Sequence, residues 1–422
     1  MIEKIKDFIR KPFLKSIIIL SGGSLLAQGI NFLCSMILTR EYPKDTIGYY
    51  TYILSIVTMF STVVNGRYDV PIVSAQSEKE TFALVKSSFY ISVVVSGVVT
   101  VGAFVSSNLT QRNLVGNINL ILFVFPLLLV YGIINILNGF NNRNADYKLI
   151  SSAYFIRTVF QNILTIGLGI FSPNSFNLLF SQTVGLCFGI KRQSKELATK
   201  IKKIHDVKVS EMCTVIKKYK DQPLISVPAS FVNALSYSSI SLFVGNLFGM
   251  DMLAMYSISV RVLGIPLGIF STNIAKVHFK ESSDEIEKKG NYKKSTLRMI
   301  AFSMAIAIAM VLFLMIFAPT LFGILYGKEW IDSGVYVQIL APMFGLRLVV
   351  GAVGFAFIIA NKQKLELIFQ IMLFVGMVVI VIVAKVFSWN ITKFLIALSI
   401  VYSIIYSIEL VEIIRCSGKK VR

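Results

Sequence analysis

The sequence has few charged residues for its length of 422 residues. Charged residues make up 15% of the chain and hydrophobic residues 55%, and the mean hydropathy is +0.72. A soluble globular domain carries roughly a quarter charged residues, so this chain lacks the polar side chains that would cover a soluble surface. The composition therefore argues against a soluble multi-domain protein and predicts that a lipid bilayer is part of the solvent.

Cysteine and histidine are also scarce. The four cysteines are Cys34, Cys187, Cys213 and Cys416. They form no CxxC pair, so nothing supports a disulfide framework or a metal site. His205 and His278 lie in basic segments, where we expect solvated loop residues. Since the sequence also has no Walker A loop and no GxSxG motif, we expect neither a cofactor nor an enzymatic activity.

Basic residues outnumber acidic ones, with 42 Lys and Arg against 22 Asp and Glu. Such an excess can indicate nucleic acid, but membrane proteins also concentrate Lys and Arg in their cytoplasmic loops. We therefore expect no nucleic-acid partner. The basic segment 1–16 precedes an apolar run, 17–39, that is too long for a signal-peptide core and has no cleavage site after it. This run is interpreted as the first membrane helix.

The sequence contains twelve apolar runs that approach the length of about 20 residues that a membrane-spanning helix needs. These predicted spans are roughly 17–39, 47–65, 87–106, 118–139, 150–171, 175–190, 223–245, 253–274, 299–318, 334–358, 367–384 and 394–414. With the N-terminus inside, the inside segments hold 33 Lys and Arg in 119 residues and the outside segments 6 in 52. The positive-inside rule therefore predicts that both termini are cytoplasmic.

The longest polar segment, 191–222, divides the chain nearly in half. We predict an all-α integral membrane protein with an N-terminal six-helix bundle at 1–190, a basic cytoplasmic linker at 191–222 and a C-terminal six-helix bundle at 223–422. Because six helices precede the linker, both bundles begin on the same side of the membrane. This predicts a parallel repeat about an axis along the membrane normal.

Three arginines, Arg157, Arg261 and Arg347, lie inside predicted spans. An arginine at the centre of a membrane helix costs roughly 2.5–3.5 kcal/mol on insertion scales, so these side chains should face a protein interior or a water-filled cavity. A guanidinium binds phosphate through two N–H groups and stays charged. We predict a cavity for an anionic substrate. Pairing with an acidic neighbour, or snorkelling to the interface, is the alternative.

Few carboxylates lie close to the predicted spans. Glu409 and Glu412 are in the last span, and Asp69 follows the second. Without an ATP site, active transport would draw on an ion gradient or on the gradient of the substrate, so these three are candidates for coupling to protons or sodium. Arg67, two residues before Asp69, is a fourth candidate cation. An ordinary charge cluster at a helix end is the alternative.

Helix-breaking residues follow Arg261 within the eighth predicted span: Gly264, Pro266 and Gly268. Proline removes a backbone hydrogen bond and kinks a helix. The pattern predicts a kink at Pro266, which either bends during transport or is a static feature of packing.

Several stretches resemble polysaccharide repeat-unit flippases, which are the O-antigen and capsule translocases of the multidrug/oligosaccharidyl-lipid/polysaccharide exporter superfamily. The stretches are Gly48 to Tyr50 with Gly66 to Asp69, Tyr256 to Pro266, Gly327 to Trp330, Gln338 to Pro342 and Gln363 to Glu366. By position, Arg67 and Arg261 match recurrent arginines of that family, and Arg347 lies in its tenth-helix region.

This resemblance implies two bundles around a central cavity that opens alternately to each side of the bacterial inner membrane. The implied cargo is an undecaprenyl-pyrophosphate-linked oligosaccharide, moved from the cytoplasmic to the outer leaflet for O-antigen, lipopolysaccharide or capsule biosynthesis. The implied partners are this cargo, membrane lipids, and a polysaccharide polymerase with its chain-length regulator.

Other functions remain open at this point. Multidrug exporters of the superfamily tend to carry coupling carboxylates in the first and seventh helices, and the spans 17–39 and 223–245 contain none. Lipid II flippases tend to have an arginine in the first helix and additional helices, and neither feature is present here. A drug or ion exporter and a non-transporting scaffold of a glycan-assembly complex are the alternatives.

Overall fold

The computed structural model describes residues 12–109, 118–360 and 362–420, and all regular secondary structure in these residues is helical. Nine helices in these parts of the chain are long and apolar enough to cross a bilayer. The prediction of an all-α, multi-pass membrane protein is therefore confirmed. The chain divides into two compact units, Met1–Ala234 and Leu235–Arg422, and the boundary falls within a helix.

The N-terminal unit contains seven longer helices and ends inside an eighth. These are α1 (Pro12–Glu41), α2 (Lys44–Ser61), α3 (Glu78–Leu109), α4 (Val124–Arg143), α5 (Tyr147–Phe171), α6 (Ser175–Phe188), α7 (Val209–Lys218) and α8 (Val227–Phe248). Polar contacts hold α3 and α4 close together. Asn65 Nδ2 donates to the carbonyls of Ser88 and Gly132, and a Cβ on Gly132 would lie 2.7 Å from Ser92 Cβ. Only glycine allows this approach of the two helices.

The C-terminal unit continues from α8 through six further helices. These are α9 (Met250–Pro266), α10 (Thr272–Lys289), α11 (Lys293–Leu325), α12 (Ile331–Ala352), α13 (Gln363–Val386) and α14 (Ile391–Ser417). The hairpin of α11 and α12 is packed closely, because a Cβ on Gly334 would lie 2.5 Å from Pro319 Cα. At the start of α14, the side chain of Asn390 accepts a hydrogen bond from the backbone N–H of Lys393, which satisfies a free donor of the first turn.

Three of the twelve predicted spans, 17–39, 47–65 and 175–190, correspond to helices outside the nine long apolar ones. The shortest is α6, whose 14 residues rise about 21 Å, less than the bilayer hydrocarbon core of about 30 Å. The count of twelve spans stays a prediction.

The environment of His278 corrects one expectation. His278 is completely buried in α10, and its Nε2 lies 3.1 Å from Thr296 Oγ1. The sequence suggested a solvated loop, but α10 continues to Lys289, and Ile274 and Ser282, one turn to either side, are buried on the same face. His205 is exposed, as expected.

Candidate functional site

A cavity of about 620 Å³ lies within the C-terminal unit. Its ionisable and amide lining residues are Tyr237, Lys276, Arg347, Glu366, Gln370, Tyr406 and Glu409. The helices present one face each to this cavity, because positions three or four residues apart share a helix face. Glu366 and Gln370 are such a pair on α13, and Tyr406 and Glu409 are such a pair on α14. The unit thus gathers charged groups from segments far apart in sequence.

Arg347 enters this cavity from α12 and has no carboxylate partner among the described residues. Its guanidinium lies 3.8 Å from the centre of the Tyr237 ring and 5.6 Å from that of Phe344. The Tyr237 hydroxyl lies 3.0 Å from that of Tyr406, which fixes the ring beneath the guanidinium. Within the described residues Arg347 makes no ion pair. A stacked guanidinium keeps its N–H donors available at its edge, and these donors suit an anionic ligand.

Glu366 and Glu409 bring two carboxyl groups to the same cavity. Glu409 is only 6% exposed, although it lines the cavity. Neither carboxylate has an ion pair or a hydrogen bond among the residues that the structure describes, and Gln370 Oε1 is buried there without a hydrogen-bond partner. Buried carboxylates without partners are costly in a membrane protein and mark proton or ion pathways. The cavity therefore offers both an anion-binding and a cation-binding side.

The turn after α9 forms another wall of the cavity. Pro266 ends α9, and Leu267–Ser271 forms a wider π-helical turn before α10 begins. Gly268 and Ser271 in this turn line the cavity, and Ser271 Oγ donates to the carbonyl of Leu348 at 2.9 Å. Pro266 is thus the last residue of α9, and the kink expected at this position stays a prediction. Whether this turn bends during transport stays a prediction.

Arg261 lies in α9 ahead of this turn, outside the residues that line the cavity. It is partly buried and has neither an ion pair nor a hydrogen bond within the described parts of the chain. Glu412 also lies outside the cavity lining, and Arg415 forms an ion pair with it at 3.7 Å. The structure thus places Arg347 and Glu409 in the lining of one cavity, and Arg261 and Glu412 are not among its lining residues.

Arg157 is a packed residue of the N-terminal unit and is 5% exposed. Its Nη2 donates to Gln193 Oε1, and a Cβ on Gly189 would lie 2.5 Å from its Nε. Gln193 in turn donates from Nε2 to Asn138 Oδ1 at 2.9 Å. The arginine therefore ties α5 to the short helix Ile190–Gln193 through neutral partners.

Arg67 and Asp69 lie in the tight turn between α2 and α3. Gly66 and Arg67 both have positive φ angles, 59° and 61°. A non-glycine residue such as Arg67 rarely adopts this left-handed conformation. Burial raises the pKa of the Asp69 carboxyl, and the nearby Arg67 charge opposes this shift. Asp69 Oδ1 and Arg67 Nε are buried, and no hydrogen-bond partner is found for them among the described residues.

Sequence reasoning did not single out Lys276, Glu366, Gln370, Tyr237 or Tyr406 as parts of a site. Lys276 and Glu366 lie just outside the predicted spans 253–274 and 367–384, because charge ends the apolar runs there. The spacing of Glu366 and Gln370 on an otherwise apolar helix was a usable signal. No group of three or more His, Cys, Asp or Glu side chains that could bind a metal ion occurs in the described residues.

Two solved structures show the same fold. One is the lipid II flippase MurJ in an inward closed conformation, with a TM-score of 0.70 and 14% identity over 94% of this chain and 87% of that one. The other is an inward-facing multidrug resistance MATE family transporter of the MOP superfamily, with a TM-score of 0.65 and 14% identity over 96% and 98% of the two chains. At this identity the likeness concerns the fold.

The sequence comparisons concern polysaccharide synthesis. The capsular polysaccharide biosynthesis protein CapF of Staphylococcus aureus is 22% identical over 338 residues, which cover 78% of this chain and 81% of CapF. The family described as "Polysaccharide biosynthesis protein" matches residues 37–335, well over half of the chain. These findings confirm the resemblance inferred from the sequence motifs, and the chain belongs to the polysaccharide biosynthesis protein family.

Proposed function

We propose that this protein moves an undecaprenyl-pyrophosphate-linked oligosaccharide from the cytoplasmic to the outer leaflet of the bacterial cell membrane. Movement proceeds by alternating access, without an enzymatic step. Membership of the polysaccharide biosynthesis family and the fold of membrane transporters support a lipid-linked saccharide as cargo. The observation that carries the proposal is Arg347, a cation that lines a membrane-protein cavity and has no acidic partner in the part of the chain that the structure describes.

Arg347 and Lys276 are the groups that would hold the pyrophosphate. Arg347 can donate two hydrogen bonds to one phosphate, whereas Lys276 provides a point charge. Glu366, Gln370 and Glu409 would accept hydrogen bonds from sugar hydroxyls. Two of the lining residues, Lys276 and Glu366, lie in the segments 275–298 and 359–366, which separate predicted spans and which the positive-inside rule predicts to be cytoplasmic. Cargo would thus enter from the cytoplasmic leaflet.

The experiment uses a strain that lacks this gene and has no redundant flippase. A membrane-impermeant glycan probe on intact spheroplasts reports lipid-linked repeat units in the outer leaflet. Wild-type protein should restore the signal and Arg347→Ala should reduce it at least tenfold at equal protein level. The control is Arg415→Ala, which removes an exposed arginine outside the cavity lining. An outer-leaflet signal in the strain without the gene would refute translocation, and a full signal with Arg347→Ala would remove Arg347 from it.

We further propose that Glu409, with Glu366, couples transport to a proton or sodium gradient. Two carboxyl groups that line one cavity and form no ion pair with any described residue support this role. In vesicles, Glu409→Gln should abolish the response of translocation to an imposed gradient while exchange without a gradient continues. Varying the pH and sodium gradients separately identifies the ion. An unchanged response in Glu409→Gln would exclude the glutamate from coupling.

Export of an organic cation is a second candidate function, because Glu366 and Glu409 would pair with such a cation. Drug export predicts altered drug tolerance and normal surface glycan in the deletion strain. Translocation of lipid-linked saccharide predicts the reverse. A scaffold predicts loss of glycan together with loss of partner binding, with Arg347→Ala silent.

A further inference from the structure

The polar segment between α6 and α8 is docked on the N-terminal unit. We call residues 190–221 the cap. Lys86 of α3 donates from Nζ to the cap carbonyls of His205 and Val207, at 2.8 and 2.7 Å. Val207 and Val215 are buried in a hydrophobic cluster with residues of α3 and α4 such as Phe82. The cap therefore has a fixed inner face against α3.

Acidic side chains on this inner side are already paired. Glu80 of α3 forms an ion pair with Lys218 and accepts a hydrogen bond from the Tyr219 hydroxyl at 3.1 Å. Glu78 lies 3.3 Å from Lys200 and 3.7 Å from Lys203. These contacts orient the cap and leave the remaining charges on its outer side.

The outer side of the cap is strongly basic. The cap contains ten Lys and Arg against four Asp and Glu. Seven of its cations are exposed and have neither an ion pair nor a side-chain hydrogen bond to any described residue: Lys191, Arg192, Lys195, Lys202, Lys208, Lys217 and Lys220. Clusters of four to eight basic residues beside membrane helices are typical of surfaces that bind anionic lipid headgroups.

Large apolar side chains are exposed among these cations. Ile201 is 65% exposed and is followed by Lys202, and Val209 is 74% exposed and is preceded by Lys208. Val207 and Val215 of the cap are buried in its apolar inner face, whereas Ile201 and Val209 are outside that face. Segments that lie in a membrane interface typically combine lysines with apolar side chains.

We propose that the outer side of the cap binds the anionic phospholipid headgroups of the membrane surface, with Ile201 and Val209 entering the interface. The cap is held at the membrane at its C-terminal end, because the helical run Gln222–Phe248 that follows it is long and apolar enough to cross a bilayer. Its net positive charge complements an anionic lipid surface and repels a basic partner. The seven exposed cations supply the attraction, and the inner contacts with α3 remain intact.

The test places a fluorophore on Val209→Cys in the full chain, with the four native cysteines replaced by serine. The protein is reconstituted in nanodiscs of phosphatidylcholine alone or with about 30% phosphatidylglycerol. Quenching by acrylamide, which is neutral, should fall about fivefold with the anionic lipid. Lys202→Gln, Lys208→Gln and Lys217→Gln together should restore the quenching, because a lysine near such a surface contributes roughly fivefold to binding, or about 1 kcal/mol.

Two controls separate lipid binding from altered folding. Replacing the same three lysines with arginine keeps the charge and should keep the protection. Lys288, Lys293 and Lys294 are exposed lysines outside the cap, and their replacement with glutamine should have no effect on Val209. Equal quenching in both lipids, or protection that persists in the cap glutamine variant, would overturn the proposal.

Discussion

Arg157 in the N-terminal unit and Arg347 in the C-terminal unit look alike in sequence, since each is an arginine within an apolar run. Their surroundings differ. Arg157 is packed against the backbone at Gly189 and donates to Gln193, whereas Arg347 stacks on Tyr237 at the wall of a cavity. Neither has a carboxylate partner among the described residues. A charge in a membrane helix is a candidate site only where the structure leaves space beside it.

A neutral hydrogen-bond partner, Gln193, satisfies part of the buried Arg157 guanidinium, whose Nε has no hydrogen-bond partner among the described residues. A buried cation is costly unless its donors are satisfied. Gln193 accepts from Arg157 and is itself held, because Asn138 Oδ1 accepts from its side chain and Asn141 Nδ2 donates to its carbonyl. This network pins the short helix Ile190–Gln193, at the start of the cap, to α4 and α5. We therefore assign Arg157 a structural role.

The largest effect on stability is expected for Arg157→Ala. The substitution leaves a cavity and removes the donor to the buried Gln193, so we expect a loss of about 2–4 kcal/mol. For a unit of this size that corresponds to a fall of roughly 5–15 °C in the apparent melting temperature. Arg347→Ala loses its cation–π contacts with Tyr237 and Phe344 and should cost about 1 kcal/mol. Thermal unfolding of both variants in the same detergent measures the difference.

A double-mutant cycle sharpens this comparison. If the Arg157 and Gln193 side chains stabilise one network, Gln193→Ala adds little in the Arg157→Ala background. Additive losses would show that the two side chains act independently. Equal losses for Arg157→Ala and Arg347→Ala would contradict the division into a structural and a cavity arginine.

A smaller effect is expected for Gly189→Ala, which tests the packing around Arg157. The added methyl group would lie 2.5 Å from Arg157 Nε and 2.7 Å from the carbonyl oxygen of Ala153. Overpacking of this kind costs about 1–3 kcal/mol. The matched control is Gly264→Ala in α9, where nothing lies within 4 Å of the added group. Thermal unfolding should show destabilisation at position 189 alone, and comparable stability of the two variants would refute close packing at Arg157.

The sequence predicted the helical class, the membrane environment and the candidate arginines, because apolar run length and charge distribution are local properties. It also selected Glu409 in the last helix. It did not predict that Glu366 and Lys276 would join Glu409 and Arg347, because this grouping depends on how α10, α12, α13 and α14 pack. Local charge made Glu366 and Lys276 look like loop residues. The surroundings of Arg157 could not be predicted from the sequence either, because Gln193 lies 36 residues away in the segment expected to be a linker.

The smallest effect is expected for Pro266→Ala, at the turn that borders the cavity. Proline prevents a regular hydrogen bond at this position, but side-chain hydrogen bonds also hold the turn: Ser271 Oγ donates to Leu348 O, Thr272 Oγ1 to Gly268 O and Asn273 Nδ2 to Ile269 O. Alanine should therefore leave the turn in place, with a stability change below about 1 kcal/mol and a translocation rate within about threefold of wild type. Ser271→Ala, which removes the bond to α12, should slow translocation more than Pro266→Ala does. A tenfold loss of rate in Pro266→Ala at unchanged stability would show instead that the proline itself is the moving hinge, and that the cavity of the C-terminal unit changes shape at this turn.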